Sequence, residues 1–182
     1  LVMQDLDFFC EPNEQSVREQ IEKLRAQRKL TDEQARAVDV RAIVRFLQSP
    51  LAARIRRNES VLREYRFSLL RPVREFANVD ADDAVLLQGV VDCFWEEDGG
   101  LVIVDFKTDR VYGDPARKAA DYTPQLEAYA QALSRIFEKP VREKYLYFFD
   151  CGEAVRVYSP EELRAMSPQE INERIVSDLH ED

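Results

Sequence analysis

Residues 14 to about 29 carry Val17, Ile21 and Leu24 at spacings of four and three, which predicts a helix with one apolar face. Thr31, with Gln34 three positions on, forms a capping-box start for a helix running to about Leu47. Ser49-Pro50 reads as an N-cap and first-turn proline opening a short helix to about Arg57. The stretch "LREYRFSLL", 62–70, alternates as a strand does, and Pro72 to Asp83 reads as loop. Two apolar strands follow, about 85–96 and 101–108. Thr123-Pro124 then caps a helix to about Phe137 with Leu126, Ala130, Leu133 and Phe137 along one stripe. Strands at 143–150 and 153–158 follow, and Ser159-Pro160 and Ser167-Pro168 each start a closing helix. This order predicts an α/β (α+β) fold: a mixed central sheet flanked by helices, with residues 1–58 as an N-terminal helical extension and 59–182 as the core.

The stretch "GVVDCFWEEDGGLVIVDFKTDR", 89–110, holds an internal contradiction, because Asp92, Asp105 and Lys107 interrupt strands that are otherwise apolar and burying charge is costly. Asp98-Gly99 is a strong signal for a two-residue type I′ turn. Pairing Glu97 with Gly100 and counting back along both strands sets Asp92 opposite Asp105, with side chains on one face about 5 Å apart. Opposed carboxylates repel unless something positive lies between them, and hard oxygen donors at that separation suit Mg²⁺. Lys107 projects from the same face as Asp105 and pairs with Val90 in this register. Val91, Cys93, Val102, Val104 and Phe106 form the opposite, core-facing side. A plainer reading gives Lys107 the task of neutralising one aspartate and Asp92 that of capping a turn; the opposed pair weighs toward a metal site.

The 182 residues suffice for one domain with a real core, and the balance of 45% hydrophobic and 34% charged residues is that of a globular protein. No apolar run approaches a membrane span, and the start lacks a basic-then-apolar secretion signal. Cys10, Cys93 and Cys151 are scattered, which favours free thiols over a metal cluster. The net charge of −9 argues against a general nucleic-acid-binding surface. Between Arg54 and Arg74 there are nevertheless seven arginines against Glu59 and Glu64; an ordinary helix-and-strand surface is the favoured reading of that stripe. With no G-x-x-x-x-G-K stretch, there is no phosphate-cradling loop for ATP.

At "GVVDC" (Asp92), "VDFKTD" (Asp105 and Lys107) and "YTPQLEAYAQAL" (Gln125 and Tyr129), taken together in order, the chain resembles the RecB-like group of the PD-(D/E)XK nuclease superfamily. Gln125 and Tyr129, four apart, share a helix face. The resemblance extends to "LREYRF", whose Glu64 is similar to a strand glutamate of helicase-associated members, and to "LVMQDLDFF", similar to the segment after a helix-borne histidine in AddA-type proteins. It implies a restriction-endonuclease-like fold and Mg²⁺- or Mn²⁺-dependent hydrolysis of DNA. Asp92, Asp105 and the Phe106 backbone carbonyl would ligate the metal, with Glu64 in its outer coordination. Lys107 would act on the water or the phosphate, positioned by Gln125 and Tyr129. The single histidine, His180, reads as exposed, so the chain is expected to begin just past the family's histidine, with activity reduced or lost accordingly. The resemblance further implies the C-terminal nuclease domain of a bacterial, cytoplasmic AddAB/RecBCD-type helicase–nuclease. Its partners would be DNA and a second helicase–nuclease subunit. A stand-alone phage- or CRISPR-type exonuclease and an inactive nuclease-fold binding module are the alternatives.

Overall fold

The computed structural model describes residues 2–72, 84–167 and 169–170. The predicted loop from Pro72, apart from Pro72 itself, the body of the helix after Ser167, and His180 lie outside the described residues.

Five strands form one sheet in the order β1-β2-β3-β4-β5. β1 spans Leu62–Pro72, β2 Ala84–Glu97, β3 Gly100–Lys107, β4 Val141–Phe148 and β5 Glu153–Arg156. Among these described strands only the β3/β4 pairing is parallel, and a parallel pair needs a crossover. That crossover is α6 (Pro115–Ala119), a 3₁₀ turn (Ala120–Tyr122) and α7 (Thr123–Phe137).

The helices divide between the two faces of the sheet. On one side lie α1 (Val2–Asp5), α2 (Glu14–Ala26), α3 (Asp32–Ala37), α4 (Val40–Gln48) and α5 (Pro50–Arg56). Their buried residues, including Val17, Ile21, Phe46, Leu47 and Ile55, share one cluster with Cys93, Trp95, Val102, Val104 and Tyr147 of the sheet. Phe46 is its centre: fully buried, its ring lies 4.8 Å from Tyr147 and 5.2 Å from Phe106. On the other side, Leu126, Ala130, Ala132 and Leu133 of α7 pack with Phe94, Leu101, Ile103, Leu146 and Phe148. The last described helix of any length, α8 (Pro160–Ala165), opens with a full capping box between Ser159 and Glu162.

Three local expectations need correction. The helix from Thr31 is two helices, because Val38 is extended (φ −69°, ψ 123°) and Asp39 caps a new start on the Ala42 amide. Thr123 does not cap α7 but is its first residue, following directly from the 3₁₀ turn. Val91 leaves the side of Cys93 and joins the α7 cluster. The cause is a break in the pleat. Arg63 lies over Phe8 on one side of the sheet, while Tyr65 contacts Phe94 and Phe137 on the other. Between them Glu64 adopts φ +51°, and the β1/β2 ladder skips from Arg63↔Cys93 to Tyr65↔Val91. Residues on either side of Glu64 and Asp92 therefore change faces together.

Three of the seven arginines of the basic stretch have structural partners. Arg54 binds Glu97 (2.8 Å) and Glu143 (2.6 Å), Arg56 donates to the Leu47 carbonyl, and Arg63 donates to the Leu6 carbonyl. All three cysteines are free, and burial pushes the Cys93 thiol up to about 12. Among the described residues no helix is long and apolar enough to cross a membrane.

Candidate active site

The hairpin turn forms as its sequence demands. Asp98 and Gly99 have φ of +50° and +73°, the two positive values a type I′ turn needs, and Glu97 pairs with Gly100. The β2/β3 ladder keeps this register as far as Cys93↔Val104 and stops there. Asp92 and Asp105 would be the next pair, and Val90 with Lys107 would lie two further on. Instead of a regular pair, the Asp92 carboxylate fills the gap and accepts a 2.8 Å hydrogen bond from the Phe106 amide. In an extended strand one residue's N–H and C=O point to the same edge, so the Phe106 carbonyl faces this gap as well.

The two carboxyls lie in a largely desolvated place. Asp105 is 3% exposed and Asp92 half-buried. Burial pushes the Asp105 carboxyl above its ordinary value; the Lys107 ammonium opposes that rise and the Asp92 charge adds to it. Burial also raises Asp92, against the Phe106 amide and the Lys107 charge. Lys107 lies on the α7 side with Asp105, its Nζ 2.6 Å from Asp105 Oδ2. The contact is an ion pair by distance but misaligned: Asp105 Oδ2 is buried with no hydrogen bond of acceptable angle. One ammonium thus faces two desolvated carboxylates.

From Lys107 a chain of contacts leads onto α7. Lys107 Nζ donates to Gln125 Oε1 at 2.8 Å, and Gln125 Nε2 donates to the Tyr129 hydroxyl at 2.9 Å. Burial, then the Asp105 charge, pushes the Tyr129 phenol up. Asp92, Asp105, Lys107, Gln125 and Tyr129 therefore converge, as the spacing on strand and helix anticipated. Glu64 is exposed and stands at the skipped register position beside Asp92. It does not join the other two acids, since no group of three or more His, Cys, Asp or Glu residues able to hold a metal occurs among the described residues.

The sequence profile of the PD-(D/E)XK nuclease superfamily matches residues 4–181. The chain belongs to that superfamily. It is 38% identical over 160 residues to the A-subunit of the ATP-dependent helicase/nuclease of Alkaliphilus oremlandii, an alignment covering 86% of this chain and 13% of that protein. The same-named proteins of Moorella thermoacetica and Acetivibrio thermocellus are 39% and 42% identical, over 87% and 81% of this chain. The chain spans 12–13% of the length of these relatives.

The mixed five-stranded sheet with helices is the core a PD-(D/E)XK nuclease requires. Nucleases of this superfamily generally use divalent metals, and the donors present here fit one. Two carboxylates and a backbone carbonyl are hard oxygen ligands, and Mg²⁺ is commonly held by one or two carboxylates plus waters and substrate phosphate. The buried Oδ2 of Asp105 meets the Lys107 ammonium at 2.6 Å in a poorly aligned contact and is the oxygen for which a cation would compete. One site residue escaped the sequence reading: Tyr122, whose ring centroid lies 4.3 Å from Lys107 Nζ. Its only signal was a position three before Gln125, in a segment read as a helix cap.

Proposed function

We propose that this chain is the metal-dependent exonuclease domain of a helicase–nuclease, hydrolysing DNA phosphodiesters as broken ends are processed for recombinational repair. The observation that carries the reading is the pair of desolvated acids, Asp92 and Asp105, at the break between β2 and β3 with one ammonium between strand and helix. Asp92, Asp105 and the Phe106 carbonyl would hold Mg²⁺ or Mn²⁺, with Glu64 reaching it through water. A bound divalent cation supplies charge against the phosphate oxygens and lowers the pKa of a coordinated water.

The chain's own groups do the rest. Asp92 is fixed in orientation by the Phe106 amide, so its second oxygen is the one left for a ligand. Lys107 would direct an N–H at the attacking water or at the charge developing on the phosphoryl oxygens. Gln125 holds Lys107 through its carbonyl oxygen, and Tyr129 holds the Gln125 amide, which fixes the Lys107 rotamer from α7. The Val102, Val104 and Cys93 side of the hairpin is buried, keeping bulk water behind the acids away.

In the parent protein, ATP-driven motors on other segments and a second helicase–nuclease subunit would deliver DNA, so an acidic domain needs little basic surface of its own. A bacterial cytoplasmic location follows from that role. The test is calorimetric titration with Mg²⁺ and Mn²⁺, with cleavage of linear DNA assayed on this chain and on the parent protein. Metal binding lost in Asp105→Ala, and cleavage but not metal binding lost in Lys107→Ala, are the expected results. Equal metal binding by Asp105→Ala refutes the ligand assignment.

A further inference from the structure

The Lys107 ammonium has three neighbours of different chemistry: the Asp105 carboxylate, the Gln125 side-chain carbonyl and the face of Tyr122. The first of these is also a proposed metal donor. Once Asp105 is engaged elsewhere, the ammonium is left with an amide oxygen and an aromatic ring. Both are neutral. They attract a cation without cancelling its charge, so the ammonium stays available to a phosphate.

The ring is itself fixed in place. Tyr122 ends the 3₁₀ turn between α6 and α7, and its ring centroid is 6.2 Å from that of Phe148. Phe148 is the β4 residue paired with Lys107 in the parallel register, so the ring and the lysine rest on the same step of the sheet. Beyond β3, the Asp109 carboxylate is close enough to add to the rise that burial gives the Tyr122 phenol. A second ammonium, that of Lys118, lies 5.4 Å from the ring centroid and is tethered at 3.0 Å to Asp121. Two cations thus lie within cation–π reach of one tyrosine ring.

We propose that Tyr122 is a positioning residue for Lys107: its ring face seats the ammonium so that Lys107 keeps its aim when Asp105 turns to a metal. The inference rests on the nuclease reading for its rate effects and on the geometry alone for its spectroscopic one. Tyr122→Phe keeps the face and loses only the hydroxyl. Tyr122→Leu keeps apolar volume against Phe148 and loses the quadrupole.

The experiment has two arms on this 182-residue chain. In the metal-free protein, the Lys107 Hε protons, assigned by NMR, should be shifted upfield by the ring current in the wild type and in Tyr122→Phe. In Tyr122→Leu they should return to the positions of an exposed lysine. In DNA cleavage, Tyr122→Leu should lower kcat by about 3- to 30-fold, the rate equivalent of a cation–π contact. KM for DNA should stay within about twofold, and Tyr122→Phe should restore kcat. Unshifted Lys107 protons in the wild type overturn the proposal, as does wild-type kcat in a folded Tyr122→Leu protein. If neither this chain nor the parent protein cleaves DNA under any metal, the nuclease reading is what has failed, and the NMR arm still decides the seat.

Discussion

Replacing Asp105 with asparagine should make the metal-free protein more stable while removing its metal response. Asp105 is 3% exposed, its Oδ2 accepts no aligned hydrogen bond, and a second carboxylate adds to its burden. Lys107 compensates one negative charge of two. Asparagine is nearly the same shape, removes the buried charge, and leaves its carbonyl oxygen for Lys107. The lysine also retains Gln125 and the Tyr122 ring. The substitution removes one of two like, desolvated charges while Asp92, Gln125 and the Tyr122 ring still face the Lys107 ammonium. A desolvated group without a good partner costs about 1–3 kcal/mol. The expected gain is about 1–3 kcal/mol, and in a chain of this size each kcal/mol raises Tm by about 2–4 °C.

The sign of the pH dependence is fixed by the direction of the shift. The Asp105 carboxyl is raised in the folded state above its ordinary value of 3.8. The folded wild type therefore takes up a proton before the unfolded chain does, and gains stability as pH falls through the folded pKa toward 3.8. Asparagine has no such proton, so the advantage of Asp105→Asn is greatest at neutral pH and narrows on acidification. Added metal should reverse the order: at 100 times its Kd a ligand stabilises the wild type by about 2.7 kcal/mol, and the variant by nothing. Urea unfolding in EDTA and in Mg²⁺, across a pH series, measures all three effects. An Asp105→Asn protein less stable than wild type in EDTA at neutral pH refutes the reasoning, as does a gap that ignores pH.

Other perturbations test the frame around the site. Phe46→Ala removes a fully buried ring at the junction of the N-terminal helices and the sheet; it should cost about 3–5 kcal/mol. Circular dichroism and tryptophan fluorescence of Trp95 should still report one transition; separate transitions would make residues 1–58 an independent unit. Arg54→Ala should cost about 2 kcal/mol, since it unties Glu97 and Glu143 and uncovers Trp95 and Tyr145. Arg54 holds the Glu143 carboxyl below its ordinary 4.5. Its contribution is therefore full above that value and fades as pH falls through the lower folded pKa, which a difference in urea midpoints would track. Lys144→Met should cost about 1–2 kcal/mol, less than a fully buried pair, because its partners Glu127 and Glu162 are 24% and 32% exposed and regain water.

What the chain discloses without coordinates, and what it hides, follows the range of the forces involved. Asp98-Gly99, the Thr31–Gln34 capping box and the cap-and-proline pairs Ser49-Pro50 and Ser159-Pro160 are decided within four residues, and each forms as read. Asp114-Pro115 carries the same N-cap-and-proline signal and opens α6, a helix the sequence pattern leaves unannounced although its cue is present. The break at Asp39 is concealed because apolar positions continue in phase across it. The change of faces at Glu64 and Asp92 is hidden for a deeper reason. A non-glycine residue at positive φ leaves no mark in composition, and strict alternation assigns Val91 and Cys93 to one side.

That hidden break is also where the chemistry gathers. Had the pleat run on regularly, Asp92 would have been one more member of a ladder, directly opposed to Asp105 in a non-hydrogen-bonded pair, with the Phe106 amide bonded to the Val91 carbonyl. Because the ladder ends at Cys93↔Val104, the Phe106 amide loses its strand partner and takes the Asp92 carboxylate in its place. The lost ladder bond becomes the device that orients an acid, and the Phe106 carbonyl on the same edge is freed with it. Glu64 at φ +51° and the raised Asp92 and Asp105 carboxyls are thus parts of one strained locus. A fold selected for stability alone would have relaxed it. Its survival within a sheet that is otherwise well paired supports a site built to receive a cation.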